Sequence, residues 1–192
     1  MKLYFAPEFS SFADHIAMLE AGLEFEIAKV DLESKRLADG SSYCDRNPTG
    51  MVPALELDDG SLLTENVAIL AWVADGAPHL APDGELARAR LLETLAFIAS
   101  EIHKRFALLS GLAESAQAPV IEGAARSFGL VAPRIQDGFL FGETFTVADA
   151  YLFVMAVGAL QMDLPLGPNY ERFVERIEAR PCVQLARRRE SA

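Results

Sequence analysis

Asn47-Pro48-Thr49-Gly50-Met51-Val52-Pro53-Ala54-Leu55, followed by Leu63-Thr64-Glu65-Asn66, is the stretch on which the fold turns. It joins a turn signal, a Val-Pro step at the mouth of a strand, a hairpin turn and a polar helix start. Val52 precedes a proline, and the clash with the proline ring pushes its backbone to an extended conformation. An extended residue with unpaired N–H and C=O groups can hydrogen-bond a peptide laid beside it. Pro53 lacks an N–H and so fits the first position of a strand, or an edge, better than a strand centre. Asp58-Asp59-Gly60 reverses the chain between predicted strands at 54–57 and 61–63. Thr64 can cap the next helix. Glu65 and Asn66 then fall in its first turn beside bare N–H groups, an end that attracts a carboxylate. Two readings stand side by side: a dock for a small acidic peptide, and a plain hairpin leading into a capped helix.

Outward from this stretch the two halves of the chain differ. Before it, residues 2–6 and 25–30 read as strands, residues 10–22 as a helix closed by Gly22, and residues 32–46 as a polar helix-and-loop region. With the hairpin and a helix over 65–74, the order is strand–helix–strand–helix–strand–strand–helix. A helical crossover implies parallel pairing of the first two strands, and the tight turn makes the last two antiparallel. Turn formers crowd 77–84, which reads as a linker. Beyond it strand signals vanish, and 85–109, 119–137, 147–160 and 169–180 each show helical spacing. The boundaries follow as a mixed α/β domain at 1–76, the linker, and an all-α domain at 85–192.

Composition narrows the function classes. The chain has 192 residues, 51% of them hydrophobic, enough for a sizeable core. Twenty-eight acids against 17 Lys and Arg give a formal charge of -11. That balance argues against nucleic acid and anionic membranes, which need clustered cations, but leaves room for a small anionic ligand at one local positive site. No apolar run is long enough to span a bilayer. Met1-Lys2-Leu3-Tyr4-Phe5 leads directly to Pro7 and Glu8, without a signal-peptide pattern. Cys44 and Cys182 stand far apart with no metal spacing. A reduced, cytoplasmic setting is the expectation.

Four blocks carry a family resemblance: Met1-Lys2-Leu3-Tyr4 with His15-Ile16-Ala17 and Glu20-Ala21-Gly22; the 47–53 stretch; Leu63-Thr64-Glu65-Asn66-Val67-Ala68-Ile69; and Phe145-Thr146-Val147-Ala148-Asp149-Ala150-Tyr151-Leu152-Phe153. Ala99-Ser100-Glu101-Ile102-His103-Lys104 adds a fifth. Each is weak alone; in this order, across nearly the whole chain, they resemble the glutathione transferase superfamily and most closely its bacterial beta class. The resemblance implies a thioredoxin-like first domain with a four-stranded mixed sheet and a cis bond before Pro53, then an all-helical domain. It also implies a homodimer, with glutathione as co-substrate and no metal or other cofactor.

The same resemblance assigns roles. Val52, flanked by Met51 and Pro53, pairs through its backbone with the cysteinyl part of glutathione, and Glu65 with Asn66 holds the γ-glutamyl end. Lys35 matches a lysine near the glycyl end; on the residues alone it reads equally as a solvated surface lysine. Ser10 stands where the beta class places a cysteine, which excludes thiol–disulfide exchange through this position. A serine hydroxyl at a helix start can still stabilise a thiolate; Ser10 and Ser11 are alternatives for that contact, and either can instead serve only as a cap. His103 and Lys104 match a pair that reaches into the cleft, where His103 is a catalytic candidate that could donate to the sulfur or a bound water or act in proton transfer, against a purely structural histidine. Ala96 replaces an asparagine common in the class, so that contact is lost. Phe9, Phe106 and Tyr151 are candidates for an apolar second-substrate pocket, against a reading as simple core. His15 reads as interface support, Thr146-x-x-Asp149 as a capping box, and Cys44 as a bystander.

Two functional classes follow. One is conjugation of glutathione to a small apolar electrophile, a detoxification-type transfer. The other is a non-catalytic glutathione or small-ligand binding or interaction protein of the same fold. Peroxidase and dehalogenase variants stand beside the first.

Overall fold

The computed structural model describes residues 1–109, 111–135, 138–164 and 166–191. Strand β1 (Lys2–Phe5) buries Leu3, Tyr4 and Phe5. Helix α1 (Ser11–Glu20) follows, and the chain turns at Gly22, whose φ of 68° lies in the left-handed region that glycine tolerates. Strand β2 (Glu26–Asp31) then pairs parallel to β1, from Lys2 opposite Glu26 to Phe5 opposite Lys29. After β3 (Arg36–Leu37), strands β4 (Ala54–Glu56) and β5 (Leu62–Thr64) form the hairpin, and β4 lies antiparallel to β1. At the turn the Asp59 carboxylate accepts from the Ser61 N–H at 2.9 Å.

The sheet order is β3-β2-β1-β4-β5. It holds one strand more than expected, because residues 32–46 contain no α-helix. Asp31 Oδ1 accepts from the N–H groups of Glu33 and Ser34, at 2.9 and 3.1 Å, and this turn folds β3 back on β2. The segment has too few apolar residues to give a helix a buried face. A 3₁₀ turn at Tyr43–Asp45 completes it. The Val52–Pro53 peptide is cis, as the resemblance implies.

Helix α2 (Asn66–Gly76) closes the thioredoxin-like half. Thr64 ends β5 and does not cap α2; the residue before the helix is Glu65. The second half is helical throughout: α3 (Ala87–Phe97), a π-helical stretch at Ile98–His103, α4 (Lys104–Leu109), α5 (Ala118–Val131), α6 (Val147–Gln161), α7 (Pro168–Glu178) and α8 (Pro181–Glu190). The helix expected over 85–109 is therefore one helical path with a π insertion. The segment expected over 119–137 leaves the α-helix after Val131 for a 3₁₀ turn at Ala132–Ile135, where Pro133 lacks the N–H to continue; residues 136 and 137 lie outside the described residues. Helix α8 had no strong apolar spacing to announce it, since Pro181-Cys182-Val183-Gln184-Leu185-Ala186 runs into three arginines.

One apolar core runs from Leu3 through α1, α2 and α6 to Ala186. Each fully buried Leu, Ile or Phe contributes roughly 1.5–3 kcal/mol. Helix α1 lies between the halves, packed on α2, α6 and α8. Polar ties reinforce that seam. Arg180 donates twice to the Glu20 carboxylate, at 2.7 and 2.9 Å, and lies 4.1 Å above the Phe145 ring. His15 Nδ1 meets Glu190 Oε1 at 2.8 Å, so this histidine joins α1 to α8.

At the start of α6 the buried Asp149 carboxylate accepts from the Thr146 N–H at 2.8 Å, the Thr146 hydroxyl at 2.7 Å and the Leu140 N–H at 2.7 Å. Burial pushes its carboxyl up to about 6, against these hydrogen bonds. Asp149→Ala strands two buried N–H groups and removes the cap. It is expected to cost about 3 kcal/mol, read as a lower midpoint in urea unfolding with an unchanged slope.

Candidate functional site

The site begins with the loop from Asn47 to Pro53. Asn47, buried, donates from Nδ2 to the Met51 carbonyl at 2.9 Å, and the Tyr43 hydroxyl donates to the same oxygen at 2.8 Å. The Asn47 side-chain oxygen accepts from the Thr49 hydroxyl at 3.0 Å. Held from inside, the loop turns Met51 out to solvent, while Val52 is half-buried against the small core of Tyr4, Val30, Tyr43 and Ala54. Val52 lies beyond the β1–β4–β5 ladder, which begins at Ala54, so its backbone groups are not committed to the sheet.

Across from the loop stands the start of α2. Glu65 has φ 74° and ψ 126°, a region costly for a residue with a side chain. Its side chain is exposed to the cleft, and the first N–H groups of α2 have no side-chain cap. Asn66 points the other way. Its amide, buried, donates to the Ser10 carbonyl at 3.0 Å and to Asp14 Oδ2 at 2.6 Å. What Asn66 offers a ligand is its backbone N–H, not the side-chain amide. Burial pushes the Asp14 carboxyl well up, with the Asn66 hydrogen bond pulling the other way. Its Oδ1 has no partner among the described residues.

The opposite wall comes from the helical half. The π-helical stretch ends at His103, and Lys104 opens α4 at the surface. π-Helical turns are rare and favour functional sites. His103 Nδ1 lies 2.7 Å from the Tyr151 hydroxyl of α6. Burial pushes the imidazole below its ordinary value, while the Glu65 charge pulls it upward.

These walls enclose a cleft with two lobes. A polar lobe of about 240 Å³ is bounded by Val52, Pro53, Glu65, Asn66, His103 and Lys104. An apolar lobe of about 460 Å³ is bounded by Phe9, Ser10, Phe106, Val154 and Met155 among others. Met51, Val52, His103 and Ala107 border both. The junction of the lobes is therefore the loop on one side and His103 on the other. Among the described residues no group of His, Cys, Asp and Glu side chains is arranged to hold a metal ion.

The N-terminal domain profile of glutathione S-transferases matches residues 1–75. Glutathione S-transferase GstA of Escherichia coli O157:H7 is 39% identical, over 97% of this chain and 96% of that protein. The chain belongs to the glutathione S-transferase family. A bacterial beta class glutathione S-transferase structure from Sphingomonas chungbukensis is 39% identical and superposes with a TM-score of 0.89, covering 99% of this chain and 98% of that one. A sphingomonad glutathione S-transferase complexed with glutathione is 37% identical, also with a TM-score of 0.89, covering 100% and 99%.

Within this family frame, several expected residues meet in the cleft and several do not. Met51, Val52, Pro53, Glu65, Asn66, His103 and Lys104 border the polar lobe. Ser10 borders the apolar lobe, and its side chain caps no N–H of α1. Ser11 does not reach the cleft: it is fully buried, and its hydroxyl donates to the Ala6 carbonyl and accepts from the Ala6 N–H, both at 3.2 Å. That corrects its candidacy for the sulfur contact. Lys35 borders neither lobe; its ammonium braces the loop from behind, on the Gly50 carbonyl at 3.0 Å. Phe9 and Phe106 line the apolar lobe, whereas Tyr151 lies with His103 at the polar one. Ala96 borders neither; Ala99, one turn on, borders the polar lobe.

The sequence reading missed Asp14, and it missed Val154, Met155 and Gly158 of the apolar wall. The last three share one face of α6 with Tyr151, at spacings of three, four and seven. That spacing also fits plain core. Because burial outweighs Glu65 at His103, the imidazole is expected to titrate below its ordinary value by NMR. Glu65→Gln removes the one upward pull and is expected to move that titration lower still.

Proposed function

We propose that this glutathione S-transferase family member conjugates glutathione to a small apolar electrophile, in a detoxification-type reaction. The observation that carries the reading is the shared border of the lobes: a polar lobe suited to a charged tripeptide and an apolar lobe suited to an electrophile meet at Val52 and His103, with Ser10 beside them.

The γ-glutamyl carboxylate is placed on the uncapped N–H groups at the start of α2, where the helix dipole favours negative charge. Glu65 accepts from the γ-glutamyl ammonium. Val52 pairs its N–H and C=O with the cysteinyl segment, as an added strand does. Lys104 supplies local positive charge at the rim of a protein whose net charge is -11. This register directs the thiol toward the junction of the lobes.

There the thiol must ionise, releasing its proton to water in the open cleft, because the thiolate is the nucleophile. Ser10 stands at the start of α1, where its hydroxyl and the helix N-terminus both favour the anion. The thiolate attacks the electrophilic carbon, the C–S bond forms, and the leaving group departs with its electron pair; in an addition, the pair moves onto the electrophile. Positioning both partners in one cleft supplies much of the rate. The protein acts in the cytoplasm as a homodimer, a state read by sedimentation equilibrium.

Retention on immobilised glutathione together with conjugation of a chloronitrobenzene is the expected result; absence of both overturns the proposal. Ser10→Ala is expected to lower kcat/KM about tenfold, the worth of one hydrogen bond to the developing anion. Ser11→Ala, by contrast, is expected to lower the thermal midpoint and leave the pH dependence of kcat/KM unchanged.

A further inference from the structure

Tyr151 is placed where an electrophile pocket does not need it. It is 1% exposed, and its ring meets His103 edge-on at 86° with centroids 5.8 Å apart. Its hydroxyl has one hydrogen-bond partner among the described residues, His103 Nδ1 at 2.7 Å. The direction of that bond decides what His103 offers the cleft.

Two arrangements exist. If Nδ1 carried the hydrogen, it would donate to the phenol oxygen, and the buried phenolic O–H would have no acceptor among the described residues. An unpaired buried donor costs about 1–3 kcal/mol. If the phenol donates, both groups are paired and the ring hydrogen must sit on Nε2. Nε2 is not among the enclosed unpaired atoms, and His103 borders both lobes, so this nitrogen is the one open to the cleft. We propose that Tyr151 is a positioning residue: by donating to Nδ1 it fixes His103 as a neutral imidazole with hydrogen on Nε2, a donor toward bound sulfur and not the acceptor of the thiol proton.

The surrounding charges agree. Burial pushes the His103 imidazole below its ordinary value, with Glu65 of the α2 start pulling the other way and Lys104 next in the chain. Burial, Asp14 of α1 and Glu65 all hold the Tyr151 phenol in its protonated form, so it has a hydrogen to give. The hydrogen bond to Nδ1 sets the tautomer, as a second partner generally does for histidine.

The sulfur half of this claim rests on the glutathione transferase reading; the tautomer half does not. Long-range ¹H–¹⁵N correlation spectra of the ligand-free protein, labelled at its three histidines, read the tautomer directly. The His103 signals are assigned by their loss in His103→Gln. The expected spectrum has an unprotonated Nδ1 and a protonated Nε2. Tyr151→Phe, which keeps the ring and removes the hydroxyl, is expected to abolish that single-tautomer signature. It should also raise the ultraviolet-detected pKa of bound glutathione thiol by about half a unit, the worth of a weakened neutral hydrogen bond, with KM for glutathione unchanged. Hydrogen on Nδ1 in the unaltered protein overturns the proposal, and so does a Tyr151→Phe protein with the same His103 signals and thiol titration. If that variant does not fold, the spectrum of the unaltered protein still decides. Failure to bind glutathione would remove the transferase reading while leaving the spectrum to judge Tyr151.

Discussion

A buried amide needs acceptors, and Asn66 finds both of its own in another element. Its Nδ2 donates to the Ser10 carbonyl and to Asp14 of α1, from the first residue of α2. That pair of bonds pins the N-termini of two helices side by side beneath the cleft. One end carries the serine proposed to face sulfur; the other carries the N–H groups proposed to hold a carboxylate. Their separation is set by the buried amide, which no solvent can replace without leaving polar groups unpaired. The loop from Asn47 to Pro53 is braced by the same principle through Asn47 and Tyr43. Met51, Glu65 and Lys104 at the cleft are exposed, while Asn47 and Asn66, which place the two walls, are buried and paired.

The reactive end differs in kind from one built on cysteine. Ser10 cannot cycle through a mixed disulfide, so the role proposed for it is confined to a hydrogen bond and the field of α1. His103, whose imidazole burial pushes below its ordinary value, is proposed as a second neutral donor rather than a cation. In this proposal two neutral donors and a helix terminus would stabilise the anion, with the Lys104 ammonium at the border of the polar lobe. The acids near the cleft include Glu65, exposed, Glu8 at the apolar lobe, and Asp14, buried with its carboxyl pushed well up.

Much of the fold was legible because it is written in local chemistry. The Val52–Pro53 step, the Asp59–Gly60 turn and the Thr146–Asp149 cap each specify backbone geometry within a few residues, and the structure holds all three. What escaped needed partners distant in sequence. Residues 32–46 look helical by polarity, but an Asp31 turn and an open edge of β2 make them strand and turn. Helix α8 buries only Val183 and Ala186 among its described residues and is tied further by Glu20, Phe25 and His15, partners distant in sequence. In the site, Ser10 and Ser11 are neighbours of one type, and only the Ala6 backbone tells them apart. Tyr151 reads as an apolar-pocket aromatic until His103, 48 residues away, is placed beside it.

The central claim is that glutathione lies along Val52 with its sulfur at the junction of the lobes. A crystal structure of the protein soaked with glutathione tests it most directly. The account predicts the cysteinyl N–H and C=O paired with the Val52 backbone, the γ-glutamyl carboxylate on the first N–H groups of α2, and the sulfur between Ser10 Oγ and His103 Nε2. A tripeptide bound in the apolar lobe, or with its sulfur turned away from both Ser10 and His103, would contradict it.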